Sequence, residues 1–553
     1  SGEDLYVYVE DLDRNGDESS AETITVTVSS QTETTGETLT LTETGVNTAE
    51  FMGSMTFEEA AASSGDGVLQ VSKGDKLTAT YVDPQDDFGN ETTVTDVAYY
   101  DVTLKSGPLS GDETWTAANS PFLVTGDVTV PDGHTLTIEP GVEVRFTELT
   151  DDQEGGQDMN RCELVIDDNG SLIAEGTAAD SVTFTSNSED PAASDWYGFY
   201  CNGNVGVIRL SHVSFGHASY VFNGNMEFYG DQSDSLRITD SHFRDIGQDI
   251  FRSYIYANSG ATMVIKNNTF ADFSSYFMRE TINLYGDGTV LEIDANEFVD
   301  PHGSLIDNGL RVQDVGPKIL FTNNHSTSNS RLRFNAYGEN ATEDQVIIEN
   351  NQLTGSYMRL NGSGATQGRF LVKGNTFDGT YLEVYYADRA LIQDNTIKNV
   401  NQEYALYLGY TNAVVERDTI VDNSYNGIQV YTDFNYLSVK DTIRYCTITG
   451  NNTNNYSNYA GIKIYDHGNP VVQYSSLYDN NYYDLRNEST VYDIDARFNW
   501  WGETTTAEMD AGGNPKDITK IYDYFDDNSF GQVNYAGWLD AEGGDPTAVS
   551  VSG

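Results

Sequence analysis

Two neighbouring phrases decide the fold of this chain: Ile265-Lys-Asn-Asn268-Thr-Phe270 and Ile293-Asp-Ala-Asn296-Glu-Phe298. Each carries an apolar residue, then Asn, then a second apolar anchor, and the pattern recurs along the chain. The anchors run Phe215, Phe243, Phe270, Phe298, His325, Leu353, Phe377, Ile397, Ile420, Ile448, Leu477 and Phe498, at intervals of 20 to 29 residues. Repeats of that length signal a solenoid. None holds an amphipathic helix, and each holds short strands of period two, so the solenoid is read as a parallel β-helix with one coil per repeat.

A second strand recurs once per coil. Ile282-Asn-Leu284, Leu310-Arg-Val312, Leu332-Arg-Phe334, Met358-Arg-Leu360, Leu382-Glu-Val384, Leu406-Tyr-Leu408, Ile428-Gln-Val430 and Ile462-Lys-Ile464 place their outer residues inward and their middle residue toward solvent. Two residues before the anchors stand Asn268, Asn296, Asn323, Asn351, Asn375, Asn395 and Asp418. Coils stack about 4.8 Å apart. That spacing predicts an asparagine ladder, each amide capping a turn and bonding the next. Its role is structural. Cys446 falls in the same slot and reads as a buried thiol, and His325, in the anchor column, reads as a packed core histidine.

Ahead of the solenoid, residues 1–105 alternate through Leu5-Tyr-Val7-Tyr-Val9, Ile24-Thr-Val26-Thr-Val28, Leu39-Thr-Leu41 and Leu77-Thr-Ala79-Thr-Tyr81, separated by Gly and Asn-Gly turns. Short strands with regular turns predict a small immunoglobulin-like β-sandwich. The expected organisation is all-β: a sandwich over 1–105, a β-helix over 113–500, and a cap with an extended tail over 501–553.

The 553 residues carry 86 acidic and 29 basic side chains, a net charge of −57. Such a surface excludes a general nucleic-acid binder, which needs basic residues to displace counterions. It also argues against docking on anionic lipid. No apolar run is long enough for a spanning helix. Three cysteines cannot build a disulfide framework; one pair, Cys162 with Cys201, competes with buried free thiols. Excess acid with few Cys suits an exported prokaryotic protein, secreted or at the cell surface, in calcium-containing or saline water. Ser1 and the lack of a leader segment suggest a mature or trimmed product.

Beyond the repeat, residues 113–190 resemble the opening of the right-handed parallel β-helix repeat proteins of the pectate-lyase-like superfamily. The carrying phrases are Val130-Pro-Asp-Gly-His-Thr-Leu-Thr-Ile-Glu-Pro-Gly141, Gly170-Ser-Leu-Ile-Ala-Glu-Gly-Thr177, Val182-Thr-Phe-Thr-Ser186 and Trp196-Tyr-Gly198. Phe498-Asn-Trp-Trp-Gly502 is similar to that family's closing segment. The resemblance implies the fold. On function it leaves enzymes, adhesins and passive stalks open.

The sharpest chemical motif is Asp11-Leu-Asp13-Arg-Asn15-Gly16-Asp17-Glu-Ser19-Ser-Ala-Glu22. It matches a twelve-residue calcium loop. Asp11, Asp13 and Asn15 would offer side-chain oxygens, Asp17 its carbonyl, Ser19 a water and Glu22 a bidentate carboxylate, with strands rather than helices on either side. An empty Asx-rich turn is the competing reading. A second acidic loop offers Asp83, Asp86, Asp87 and Asn90 without a recognised spacing, and a third runs from Asp151 through Asp158. Solvated loops compete in both.

In three successive coils the exposed middle position is Arg311, Arg333 and Arg359, with Tyr285, Tyr385, Tyr407, Tyr431 and Tyr465 alongside. Stacked guanidinium groups repel and need acids or an anionic ligand beside them. In lyases that this fold resembles, an exposed base removes the proton α to a uronate carboxylate while Ca²⁺ neutralises that carboxylate. With no triad of acids beside the arginines in sequence, the first expectation is a non-catalytic, Ca²⁺-stabilised surface rod that adheres, coats as an S-layer or forms filaments. The alternative is a lyase or hydrolase, or a binding adhesin, for an anionic polysaccharide. Head-to-tail self-association is expected through the tail strand at 547–551, added to the edge of a neighbouring sandwich.

Overall fold

The computed structural model describes residues 4–86, 88–229, 235–328, 330–338, 340–364 and 368–547. It divides into two compact units: residues 1–105 with 115–123 and 142–145, and the remainder.

The first unit is an antiparallel sheet of β1 (Asp4–Glu10), β2 (Thr23–Ser30), β3 (Glu37–Glu43), β4 (Glu50–Glu59), β6 (Lys76–Asp83) and β7 (Thr92–Tyr99). Their order is β1-β4-β3-β2-β6-β7, with β5 (Val68–Val71) paired parallel to β4. Period-two sequence explains the core: in β2, Ile24, Val26 and Val28 are buried while Thr25 and Thr27 face outward. Leu41, Phe51, Leu69 and Val71 close over them. The expected tail strand lies, from Ala548 onward, outside the described residues.

The second unit winds three strands per coil. Thr262–Lys266, Thr269–Ala271 and Ile282–Leu284 make one turn; Val290–Asp294, Glu297–Val299 and Leu310–Val312 make the next. Each strand pairs in parallel with its counterpart one coil on, so inward residues stack on inward residues. Ile265 meets Ile293, Ile293 meets Phe321 and Phe321 meets Ile348. Phenylalanines 243, 270 and 298 form a second inward column, with ring centroids 5.1 and 5.5 Å apart.

The corner between the first two strands repeats one device. A residue with positive φ turns the chain: Asn267, Ala295, Asn323, Asn350, Gly374, Asp394 and Arg417 in turn. The next residue is the ladder asparagine, or Asp418 after Arg417. Asn296 Oδ1 accepts from both the backbone N–H and the side-chain Nδ2 of Asn268, each at 3.0 Å, and Asn296 Nδ2 donates to Ile265 O at 2.8 Å. The series continues through Asn324, Asn351, Asn375 and Asn395 to Asp418.

Two expectations are corrected by one residue. The ladder uses Asn324, not Asn323, whose positive φ places it in the turn. Accordingly Ser326 takes the anchor slot opposite Phe298, and His325 lies outside the core, its Nδ1 2.9 Å from Glu297. The consecutive pair Asn323-Asn324 fits either register by sequence, and the packed corner selects Asn324. The closing anchor shifts likewise. Asn499 carries the ladder bond, Trp501 is buried, and Phe498, with positive φ, stacks on Tyr474 outside the core. Cys446 does occupy the ladder slot. A second ladder, Asn423-Asn451-Asn480, runs along another corner of the later coils. All three cysteines are free and buried.

Replacing Asn324 with Ala removes the acceptor of two Asn296 donors and should cost about 2–4 kcal/mol, since each buried group left unpaired costs about 1–3 kcal/mol. Asn323→Gly should change stability by less than about 1 kcal/mol, because the positive φ suits glycine. Chemical denaturation of the two variants checks the register.

Burial pushes the carboxyls of Asp418, Asp441 and Asp484 up to about 7. Their folded values exceed the unfolded ones, so their contribution is full below about pH 4 and is lost as pH rises through 7. The solenoid should therefore melt several degrees higher at pH 5 than at pH 8 in thermal scans.

Candidate functional site

The outward faces of the third strands carry the arginines. Parallel pairing sets Arg333 against Arg359, Arg359 against Glu383 and Glu383 against Tyr407. Arg311 is offset by one pleat, in a column with Asn335, Asn361 and Tyr385. The expected column of three arginines is thus two columns, because Leu310 aligns with Phe334 rather than Leu332. The structure still gathers all three. Asn308, Arg311, Arg333, Asn335, Arg359, Asn361 and Tyr385 line one open groove of about 390 Å³.

Repulsion among these cations is met by two groups that the sequence reading left aside. Tyr357, two residues before Arg359 on the strand Gln352–Gly362, accepts from Arg331 Nε and Arg333 Nε, each at 2.8 Å. The guanidinium groups of Arg331, Arg333 and Arg359 lie 5.3–5.7 Å from its ring centroid, within cation–π range. Glu383, almost fully buried, accepts from Arg359 Nε at 2.6 Å and from the Tyr404 hydroxyl at 2.5 Å. Burial, and then the Glu383 hydrogen bond, hold the Tyr404 phenol well above its ordinary range. Arg311 Nε is buried with no hydrogen-bond partner among the described residues.

Glu383 was legible: it is the middle residue of Leu382-Glu-Val384, one coil after Arg359. The significance of Tyr357 was not, since it depends on three side chains from two coils closing on one phenol. Tyrosines extend the face. Tyr385 and Tyr407 lie 5.0 Å apart, Tyr431 stacks on Tyr465, and Tyr285 stacks on Tyr256. Beside Tyr385, the rings of Tyr386 and Tyr410 are parallel within 4° at 4.8 Å.

In the first unit, Asp11 and Asp13 share one cavity with Asp83 and Asp86, so the two acidic loops meet. Asp11 Oδ1 accepts from Asp13 N and Oδ2 from the Tyr81 hydroxyl. Glu22 accepts from Gly16 N with both oxygens, at 3.0 and 2.9 Å, and Asn15 donates to Asn47. Asp17 accepts from Ser19 and Ser20, which hold its carboxyl below the usual range. Asp86 accepts from the backbone of Phe88 and Asn90; Asp87 lies outside the described residues. Among the described residues, no three acids, histidines or cysteines are gathered as a metal centre.

Comparison with known proteins bears on the second unit. A family model described as a pectate-lyase-like β-helix domain matches residues 107–237. One described as a right-handed β-helix region matches 280–443 and 381–497. No curated protein matches the sequence. Among solved structures, the Azotobacter vinelandii mannuronan C-5 epimerase AlgE4 A-module is 14% identical. The match covers 62% of this chain and 90% of that one, at a TM-score of 0.33. A mutant of the periplasmic alginate epimerase AlgG is 10% identical, covering 70% and 84%, at a TM-score of 0.32. The expectation of a non-catalytic surface rod is corrected here. The opening coils match a pectate-lyase-like model, and an acid does stand next in the arginine column. Residues 107–237 thus carry a pectate-lyase-like β-helix domain, and residues 280–497 a right-handed β-helix region.

Proposed function

We propose that the second unit binds an anionic, uronate-type polysaccharide along the groove of Arg311, Arg333 and Arg359 and removes the proton α to a sugar carboxylate. The observation that carries this reading is the concentration of cations on one face of a strongly acidic protein, with one buried guanidinium nitrogen left unpartnered. Arginines at this spacing neutralise a carboxylate and stabilise the enolate-like charge that forms when the α-proton leaves. Tyr357, gripped by two guanidinium groups, is the proton-transfer group on that face. Elimination after that step breaks the C4–O glycosidic bond, the leaving oxygen taking up a proton from solvent, and leaves an unsaturated end; reprotonation of C5 on the other face instead inverts that carbon. Glycoside hydrolysis needs a pair of carboxylates. Glu383 is engaged by Arg359 and Tyr404, and no acid lines the groove itself among the described residues. Such a role suits an exported protein, and no helix among the described residues is long and apolar enough to cross a membrane.

Incubation with pectate, alginate and hyaluronan should yield either ends absorbing near 235 nm or an altered uronate composition by NMR. Arg333→Ala should lower that activity about 10²-fold, as loss of one charge-stabilising donor does, and Tyr357→Phe should abolish it with binding retained. Unchanged polymers in every case would refute the catalytic reading.

For the first unit we propose Ca²⁺ at the loop of residues 11–22, with Asp11 and Asp13 as its core. What supports this is the oxygen-rich spacing and the approach of Asp83 and Asp86 to the same cavity. An ion restricted to the native state adds about 2.7 kcal/mol at a hundredfold excess over Kd. Chelation should lower the melting temperature of this unit, and Asp11→Asn should remove that effect of chelation on the first unit.

A further inference from the structure

A pair of acids far from the groove in sequence has no role in the chemistry above. Asp127 lies on the strand Phe122–Val130, and Glu163 opens the strand Glu163–Ile166. These strands pair in parallel with Val128 opposite Leu164, which sets Asp127 beside Glu163. Glu163 is fully buried and Asp127 is 5% exposed. Like charges side by side on adjacent strands are destabilising, and burial multiplies the cost.

Hydrogen bonds account for half of the carboxylate oxygens. Asp127 Oδ1 accepts from Glu163 N at 2.8 Å, and Glu163 Oε1 accepts from Gln157 N and Asp158 N at 2.8 and 2.9 Å. Glu163 Oε2 is buried and has no partner among the described residues. It faces Asp127 Oδ2. A Cβ placed on Gly156 would fall 2.4 Å from the first oxygen and 2.6 Å from the second, so both point at one spot under the loop. Asp151 anchors that loop by accepting from Gly155 N, Gln153 N and Asp127 N. The charged neighbours do not relieve the pair. Asp158 is tied to Arg161, and neither Asp127 nor Glu163 has a salt-bridge partner among the described residues.

We infer that Asp127 and Glu163 form a divalent-cation site of the calcium class, roofed by the acidic, glycine-containing loop of residues 151–158. Hard cations take six to eight oxygen ligands, and carboxylates with loop carbonyls and water are the usual donors. Asp127 Oδ2 and Glu163 Oε2 supply the charge, while main-chain oxygens of the loop and water complete the shell. Without a cation, burial followed by the neighbouring Asp127 pushes Glu163 up to about 8, and burial pushes Asp127 up to about 6. A bound ion offsets the repulsion between the two carboxylates and gives the unpartnered Glu163 oxygen a partner.

The test is calorimetric titration of the chelator-stripped full chain with CaCl₂ at pH 7. The expected result is a binding event that survives in Asp11→Asn and disappears in Glu163→Gln. Asp127→Asn gives the same readout through the other ligand if the first variant folds poorly. Equal stoichiometry and equal affinity in the wild type, Glu163→Gln and Asp127→Asn would overturn the inference. So would the absence of any binding at millimolar calcium, which would leave the two acids as a proton-sharing pair.

Discussion

The second unit depends on the hydrogen bond that one asparagine side chain makes to the next across successive coils. At each corner the chain leaves one strand and starts another, and a backbone N–H there would be buried without a partner. The amide of the following coil supplies the acceptor, and its own Nδ2 returns to a carbonyl of the coil before. Because this bond works at one spacing only, it locks the rise of every coil to the strand separation of a sheet. Coil length can then vary between corners, as it does, without disturbing the stack.

Locking the rise turns the outer face into columns. A residue at a given pleat stands about 4.8 Å from its counterpart one coil on, close enough for opposite charges to pair and for like charges to repel. Arg359 above Glu383 shows the first outcome, and Arg333 beside Arg359 shows the second, relieved by Tyr357. The same stacking lines up tyrosine rings, giving the face flat apolar surface beside its cations. Anion recognition and ring stacking thus come from one geometric repeat.

The acidic surplus is not confined to the surface. Asp418 ends the first ladder by accepting from Asn395, Asp484 ends the second by accepting from Asn480, and Asp441 accepts from Thr411 and Ala413. In these places a carboxyl group sits in a slot built for an amide oxygen, and burial favours its neutral form. Asp127 and Glu163 differ because they stand side by side on adjacent strands, with an oxygen of each directed at one spot. Proton retention and cation binding are two answers to the same desolvation cost.

Much of this protein was written in its sequence. The recurring Asn and apolar anchors at 20 to 29 residues determined the coil. Alternation in residues 1–105 determined an antiparallel β unit, and the middle residues of the third strands marked the arginine face. Periodicity reports which way a side chain points, because a strand has only two faces. It does not report which residue of one coil lies on which residue of the next. Where Asn323 and Asn324 both fit, only the packed corner chose, since one needed positive φ and the other a buried amide. The same register placed Arg311 one pleat away from Arg333 and brought Glu383 beneath Arg359. The convergence of Tyr357 with three arginines, and of Asp127 with Glu163 from strands 36 residues apart, arises from inter-coil stacking. No local pattern carries that information.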